Sequence, residues 1–179
     1  MALHGRRLDA LWKLSNNPAL NEDDMTLALL TIAAAARRPG HAFAAHLLRV
    51  DADALLVEAT ISRGPNAAWL PATGTTVPIV ESLFRDIVRS GGTDSCHDVV
   101  TEPELAALRI GAETGTRSFI ACAFRAGDAT VVVALVSSQP LAGAFDHDDA
   151  HFMEVLAGLL ESRLQRRLQR ERIMARKAS

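Results

Sequence analysis

Only two cysteines, Cys96 and Cys122, occur in 179 residues, which excludes a disulfide-built scaffold and points to a reducing compartment. Long apolar runs are missing as well. The most apolar stretch, Met25–Ala36, falls far short of the ~20 residues that a membrane span needs. Met1–Lys13 has no apolar segment followed by a small-residue cleavage site, so no secretory leader is read and the expected location is cytoplasmic. Neither sign of charge is in excess. A net charge of −2 excludes a uniformly basic nucleic-acid binder. Gly-x-Ser-x-Gly, a phosphate-binding glycine loop and His-Glu-x-x-His are all absent. Acids and bases are scattered, so no hydrolase or transferase site is read, and the chain is expected not to be an enzyme. What remains is ordinary globular material, with 49% apolar and 22% charged residues, enough for one domain with a substantial core.

Periodicity places the elements. Arg6–Leu14 reads as a helix with Leu8, Leu11 and Trp12 on one side, broken at Asn16-Asn17-Pro18. A second helix starts near Asn21, where Glu22, Asp23 and Asp24 complement its dipole, and Pro39-Gly40 stops it after Arg37-Arg38. His41–Val50 and Ala54–Ile61 are strands joined by the acidic turn Asp51-Ala52-Asp53. Arg63–Thr76, broken by glycine and proline, is a loop. Val77–Arg89 reads as a helix, with Val80, Leu83, Phe84 and Ile87 on one face and Gly91-Gly92 at its end. Ser95–Val100 is a short strand and Glu104–Arg109 one or two helical turns. Arg117–Phe124 and Thr130–Val136 form a hairpin around Ala126-Gly127-Asp128. Asp146 to about Lys177 is one long helix. Strands in mostly antiparallel pairs with helices at both ends imply an α+β domain, an antiparallel sheet with helices on its faces.

Three segments stand out in that order. Thr116-Arg-Ser-Phe-Ile-Ala-Cys-Ala-Phe124 leads through Gly127-Asp128 into Val131–Ser137. Phe145-Asp-His-Asp-Asp149 then opens a helix bearing Leu156-Ala157. With His41–Asp51 as a first strand and Asp98-Val99 before a variable loop, this pattern resembles the GAF family of sensory domains over roughly residues 21–165. The resemblance implies a PAS-related antiparallel sheet of five to six strands flanked by helices. It also implies a pocket over one sheet face for a small molecule of unknown identity, and a downstream output domain of the diguanylate cyclase or histidine kinase type. The chain departs from the pattern at Ala123, where family members often have Pro, and near Val132, where they often have Gly. The Asn-Lys-x-x-Phe signature of the phosphodiesterase members and the cysteine pattern of the free methionine-sulfoxide reductases of this fold are missing. Cys96-His97 does not stand where the bilin cysteine would, so bilin attachment is not carried over. The implied organisation is an N-terminal helix over 1–20, a GAF-like domain over 21–162 and a basic helical extension over 163–179.

The residues suited to such a pocket are His46, Trp69, Phe84, Cys96, His97 and Arg117. His46 sits in phase with Ala44 and Leu48 on a strand; it is a pocket ligand or, more blandly, a core histidine bonded to a backbone carbonyl. Trp69, in a broken loop, would close over a ligand or simply pack the loop down. Arg117, at a strand start, would bind an anion or stay solvated. Cys96 and Cys122 would form a redox pair only with matched Cβ positions and an accessible thiolate; buried, reduced cysteine is the ordinary alternative. His147 and His151 share a helix face, but zinc would need a third ligand that nothing supplies. No metal site is expected.

The end of the long helix carries seven basic residues against Glu171, a charge of +6 that leaves −8 for residues 1–162. The stretch has no aromatic for base stacking, so nucleic acid is not the expected partner. Leu156, Leu159, Leu160, Leu164 and Leu168 instead prolong an apolar stripe past the domain. With Leu8, Leu11 and Trp12 of a first helix that has little sheet to cover, they point to a homodimeric helical bundle with its arginines splayed outward. The chain ending inside this helix suggests a sensor cut before its output domain. A thiol-dependent reductase on the same fold and a ligandless dimerisation module are the alternatives.

Overall fold

A computed structural model describes residues 2–16, 21–34, 43–63, 72–108, 115–138 and 142–178. The elements run α1 (Ala2–Ser15), α2 (Glu22–Ala33), β1 (Phe43–Asp51), β2 (Ala54–Arg63), β3 (Thr76–Pro78), α3 (Arg85–Ser90), β4 (Gly92–Cys96), α4 (Pro103–Ala107), β5 (Thr116–Ala126), β6 (Ala129–Ser138) and α5 (His147–Ala178). The strands form one antiparallel sheet in the order β3-β2-β1-β6-β5-β4. The two hairpins read from the sequence lie side by side, because β1 pairs with β6 as well as with β2.

Alternation along the strands sorts the core into two halves. One side of the sheet carries Ala45, Leu47, Ile120, Cys122, Val131, Val133 and Leu135 against Met25, Leu29 and Leu30 of α2 and Phe152, Leu156 and Leu160 of α5. The other carries Ala44, Leu48, Val57, Phe119, Ala121, Val132, Ala134 and Val136 against Leu83, Phe84 and Ile87 around α3. Phe84 meets Phe119 edge to face, with ring centroids 5.5 Å apart. Buried side chains on both faces explain why β5 and β6 read as near-continuous apolar runs rather than alternating ones.

Caps define the helix starts. The side chain of Asn21 accepts a hydrogen bond from the Asp24 amide at 2.8 Å, where the sequence places the start of α2. At α5, the Asp149 amide donates to Asp146 Oδ1 at 3.2 Å and the Asp146 amide donates to Asp149 Oδ2 at 2.9 Å, a reciprocal capping pair.

Several expectations are corrected. Val77–Arg89 is not one helix. Thr76–Pro78 pairs with β2, Ile79–Glu81 is a 3-10 turn whose first amide donates to Asp53 O, and only Arg85–Ser90 is α-helical. The Ser82 hydroxyl takes the Phe84 amide at 2.9 Å, a local bond that competes with helix across Ser82, and Val80 is left exposed. The strand expected at Ser95–Val100 is Gly92–Cys96, with Asp98-Val99 in the turn after it.

The first helix has a partner within its own chain. α1 packs against α2 and α5, and Leu11 is fully buried in the same cluster as Leu156, Leu160 and Leu164. Those four leucines are therefore buried in one core within the chain, and Leu8 lies partly buried against the same cluster. Trp12 points outward, 67% exposed. The side chain of Leu168 lies outside the described residues. Nor do all the arginines splay. Arg163 is buried and donates to Ser15 O at 3.1 Å, closing the C-terminus of α1, and Arg167 pairs with Glu58 of β2. Arg166 and Arg170 remain exposed.

Candidate functional site

The sheet face opposite α2 and α5 carries the described pocket candidates His46, Phe84 and Cys96. His46 is buried on β1. Its Nδ1 lies 3.0 Å from Thr60 Oγ1 on β2 rather than on a backbone carbonyl. Burial alone pushes its pKa down to about 4, so the ring is neutral at physiological pH, with one nitrogen engaged by Thr60. Across the sheet, His46 stands opposite Ala134, which stands opposite Ala121. Two small side chains thus continue the row from the imidazole. Two register steps along β5, on the same face, lie Phe119 and its partner Cys96, and Phe84 covers Phe119.

Arg117 and His97 are committed elsewhere. Arg117 donates through Nη2 to Asp98 Oδ2, and its carbonyl accepts from the Val99 amide at 2.8 Å. The expected solvated strand end is thus an ion pair that holds the Asp98-Val99 turn against β5. Asp98 is buried, and its Oδ1 accepts from the Val100 amide at 3.1 Å. His97 is exposed, and its carbonyl accepts from the Gly143 amide at 2.8 Å. Gly143 has a φ of 61°, and a Cβ there would come within 2.3 Å of the His97 imidazole. That glycine lets the loop before α5 lie against the turn after β4. Trp69 lies outside the described residues, as do residues 109–114 of the variable loop after Asp98-Val99.

The cysteines do not form a pair. Cys96 stands opposite Phe119 and Cys122 opposite Thr93, so the two are three register steps apart. They also face opposite ways, Cys96 with the α3 side and Cys122 with the α5 side. Both are free and buried. Desolvation pushes both thiols above their ordinary pKa, while hydrogen bonds from the Asp98 backbone and the Thr93 side chain oppose the rise. This is the environment of an inert thiol rather than an activated one.

Two polar features had no clear sequence signal. Ser118 and Ser137, both fully buried, meet hydroxyl to hydroxyl at 2.7 Å across β5 and β6, and the Ala144 amide donates to Ser118 Oγ at 3.3 Å. Glu58, an alternating polar position in sequence, proves to bind two arginines, Arg49 and Arg167. Among the described residues, no group of three or more His, Cys, Asp and Glu side chains is placed to hold a metal ion, and no helix is long and apolar enough to cross a membrane.

No protein-family model matches the chain, and no curated protein matches it. Solved structures do. The chain is similar to the free methionine-R-sulfoxide reductase of Neisseria meningitidis in complex with its substrate, at 23% identity and a TM-score of 0.65 over 92% of this chain and 93% of that one. It is similar to the phycoerythrobilin-bound GAF domain of a cyanobacterial phytochrome, at 13% identity and a TM-score of 0.70 over 96% and 100%. It is also similar to the GAF domain of a two-component sensor histidine kinase from Bacillus halodurans, at 16% identity and a TM-score of 0.53 over 72% and 84%. At such identities these likenesses establish the fold, and the fold is that of GAF domains.

Proposed function

We propose that this GAF-fold chain is a non-catalytic sensory domain of a bacterial, cytoplasmic signalling protein. It takes a small molecule on the sheet face that carries His46 and passes its state along α5 to an output domain of the diguanylate cyclase or histidine kinase kind. The observation that carries this reading is His46 itself. A buried, neutral imidazole tied by one nitrogen to Thr60, with Ala134 and Ala121 beside it, is a polar anchor in an apolar face. Few, well-placed polar groups in apolar surroundings are what small-molecule sites are made of. Native mass spectrometry of freshly purified protein, with an absorbance scan for a chromophore, tests it. A bound small molecule, released on denaturation and reduced in His46→Phe, is the expected result. If no molecule is carried and no metabolite shifts the melting temperature, the domain is a ligandless dimerisation module.

The second reading is a thiol-dependent reductase, kept because a methionine-R-sulfoxide reductase shares the fold. Burial, a raised pKa and placement on opposite faces all weigh against either thiol as nucleophile. Reductant consumption with free methionine sulfoxide, abolished by Cys96→Ala, would establish the enzyme and overturn the sensor.

Dimerisation remains part of the proposal through surfaces other than the buried leucines. Trp12 on α1, and Ile173 and Met174 towards the end of α5, present large exposed apolar side chains. A second copy is the occupant that a sensor with an output helix would bring to them.

A further inference from the structure

We propose that Glu58 couples the pairing of β1 and β2 to the position of α5, so that a change at the His46 face is read out in the helix. This rests on the reading of α5 as the output helix. The register of the two strands runs one to one from Phe43↔Arg63 to Leu47↔Ala59 and resumes at Leu48↔Val57. Glu58 is therefore the extra residue of a bulge. A bulge sends successive side chains to the same side. Val57 belongs to the α3-side core and Ala59 to the α5-side core, while Glu58 also meets α5. Without the bulge, strict alternation would not bring both Glu58 and Ala59 to the helices.

The carboxylate is divided between two elements. Oε1 accepts from Arg49 Nε of β1 at 2.6 Å, and Oε2 accepts from Arg167 Nη2 of α5. The Glu58 side chain is 12% exposed, so these charge-assisted bonds are partly withdrawn from water and outweigh surface pairs. Among the described residues, Leu164 is the last core leucine of α5, and Arg167 lies one turn beyond it. Glu58 thus grips the helix just as it leaves the body of the domain.

On the opposite face of the same strands, His46 and Thr60 are joined across the ladder, with only the Leu47–Ala59 pair between them and the bulge. A ligand that draws the imidazole away from Thr60 alters β1–β2 pairing next to the bulge. The Glu58 carboxylate, which is fixed to both strands, moves with it and carries the anchor of α5 along. Small shifts of a helix against its neighbours are a recognised form of switching output.

Hydrogen exchange of the α5 amides over residues 165–174 tests this with no ligand present. Glu58→Gln and Arg167→Gln should each speed exchange by about tenfold, with the double variant no faster than the singles. Thr60→Val, which touches neither arginine, should speed the same amides about threefold. Asp9→Asn, at an exposed pair on α1, should leave them unchanged. If Glu58→Gln destabilises the fold, Arg167→Gln, on the helix surface, still decides. Unchanged exchange in the clamp variants overturns the proposal. So does a Thr60→Val protein whose α5 exchanges like wild type, because the clamp would then be structural only. Failure to find a ligand by mass spectrometry would fall on the sensory reading and leave these measurements standing.

Discussion

Arg7 and Asp149, 142 residues apart, meet at 3.4 Å with side chains only 6% and 2% exposed. The guanidinium also donates to Ala33 O at the end of α2, at 3.1 Å, and lies 5.2 Å from the centre of the Phe152 ring. Asp149 meanwhile caps the first turn of α5 through its other oxygen. One ion pair thus joins the first helix, the C-terminus of the second and the N-terminus of the last. Removing one partner leaves the other charge buried. Arg7→Met or Asp149→Asn should each cost about 3 kcal/mol of unfolding free energy. Urea titration checks this, and a loss below about 1 kcal/mol would show that the pair is incidental.

His46 makes stability depend on pH. Unfolded, its imidazole takes up a proton near pH 6.5; folded, only near 4. Between those values the unfolded chain binds more protons. The contribution of His46 is therefore complete above about pH 6.5 and is lost as pH falls towards 4, by about 3 kcal/mol in all. Chemical denaturation across pH 4–7.5 should show that slope in the wild type and a shallower one in His46→Gln.

Leu160 and Leu164 belong to the core of one subunit, so Leu160→Glu places a carboxylate where nothing solvates it. The variant should lose more than about 4 kcal/mol and fail to fold, rather than yield a folded monomer. Trp12→Glu with Met174→Glu, at exposed positions, should leave the melting temperature nearly unchanged. If the proposed dimer forms, that double variant should sediment as a monomer at tens of micromolar, where the wild type sediments as a dimer. A wild type that is monomeric in low and high salt removes the dimer.

Ala52 turns between β1 and β2 with a φ of 51°, where any Cβ is strained. Ala52→Gly should relieve that strain and, after the entropy it adds to the unfolded chain, stabilise by roughly 0.5–1 kcal/mol. A rise in melting temperature checks it, and a fall would mean that the turn holds its shape for another reason.

Thiol titration of the native protein should find both cysteines slow, at least about tenfold slower than a free thiol, and both reactive after unfolding. Mild oxidation should give no intramolecular disulfide, because Cys96 and Cys122 lie on opposite faces of the sheet. A disulfide in protein prepared without oxidant would contradict their placement.

The amino-acid sequence by itself determined the order and type of most elements. Apolar runs, the Gly127-Asp128 turn and the caps at Asn21 and Asp146 are local signals, carried by side-chain size and backbone bonding within a few residues. They were enough to read an α+β antiparallel sheet with helices at both ends, and to pick out His46 as a polar residue in an apolar strand. Local pattern misled over Val77–Arg89, where apolar spacing fitted a helix but pairing of Thr76–Pro78 with β2 and the Ser82 bond divided it.

Tertiary structure alone decided which surfaces meet. An amphipathic helix shows that it needs a partner, but not whose. Hence Leu11, Leu156, Leu160 and Leu164 read as a dimer seam, although they belong to one core within one chain. The same holds for charge. Arg7, Arg163 and Arg167 look like solvated basic residues until distant carboxylates and helix ends are brought to them. The bulge at Glu58 and the opposite facing of the two cysteines are properties of register. Register is set by the whole sheet closing over two cores, and no short stretch of sequence carries it.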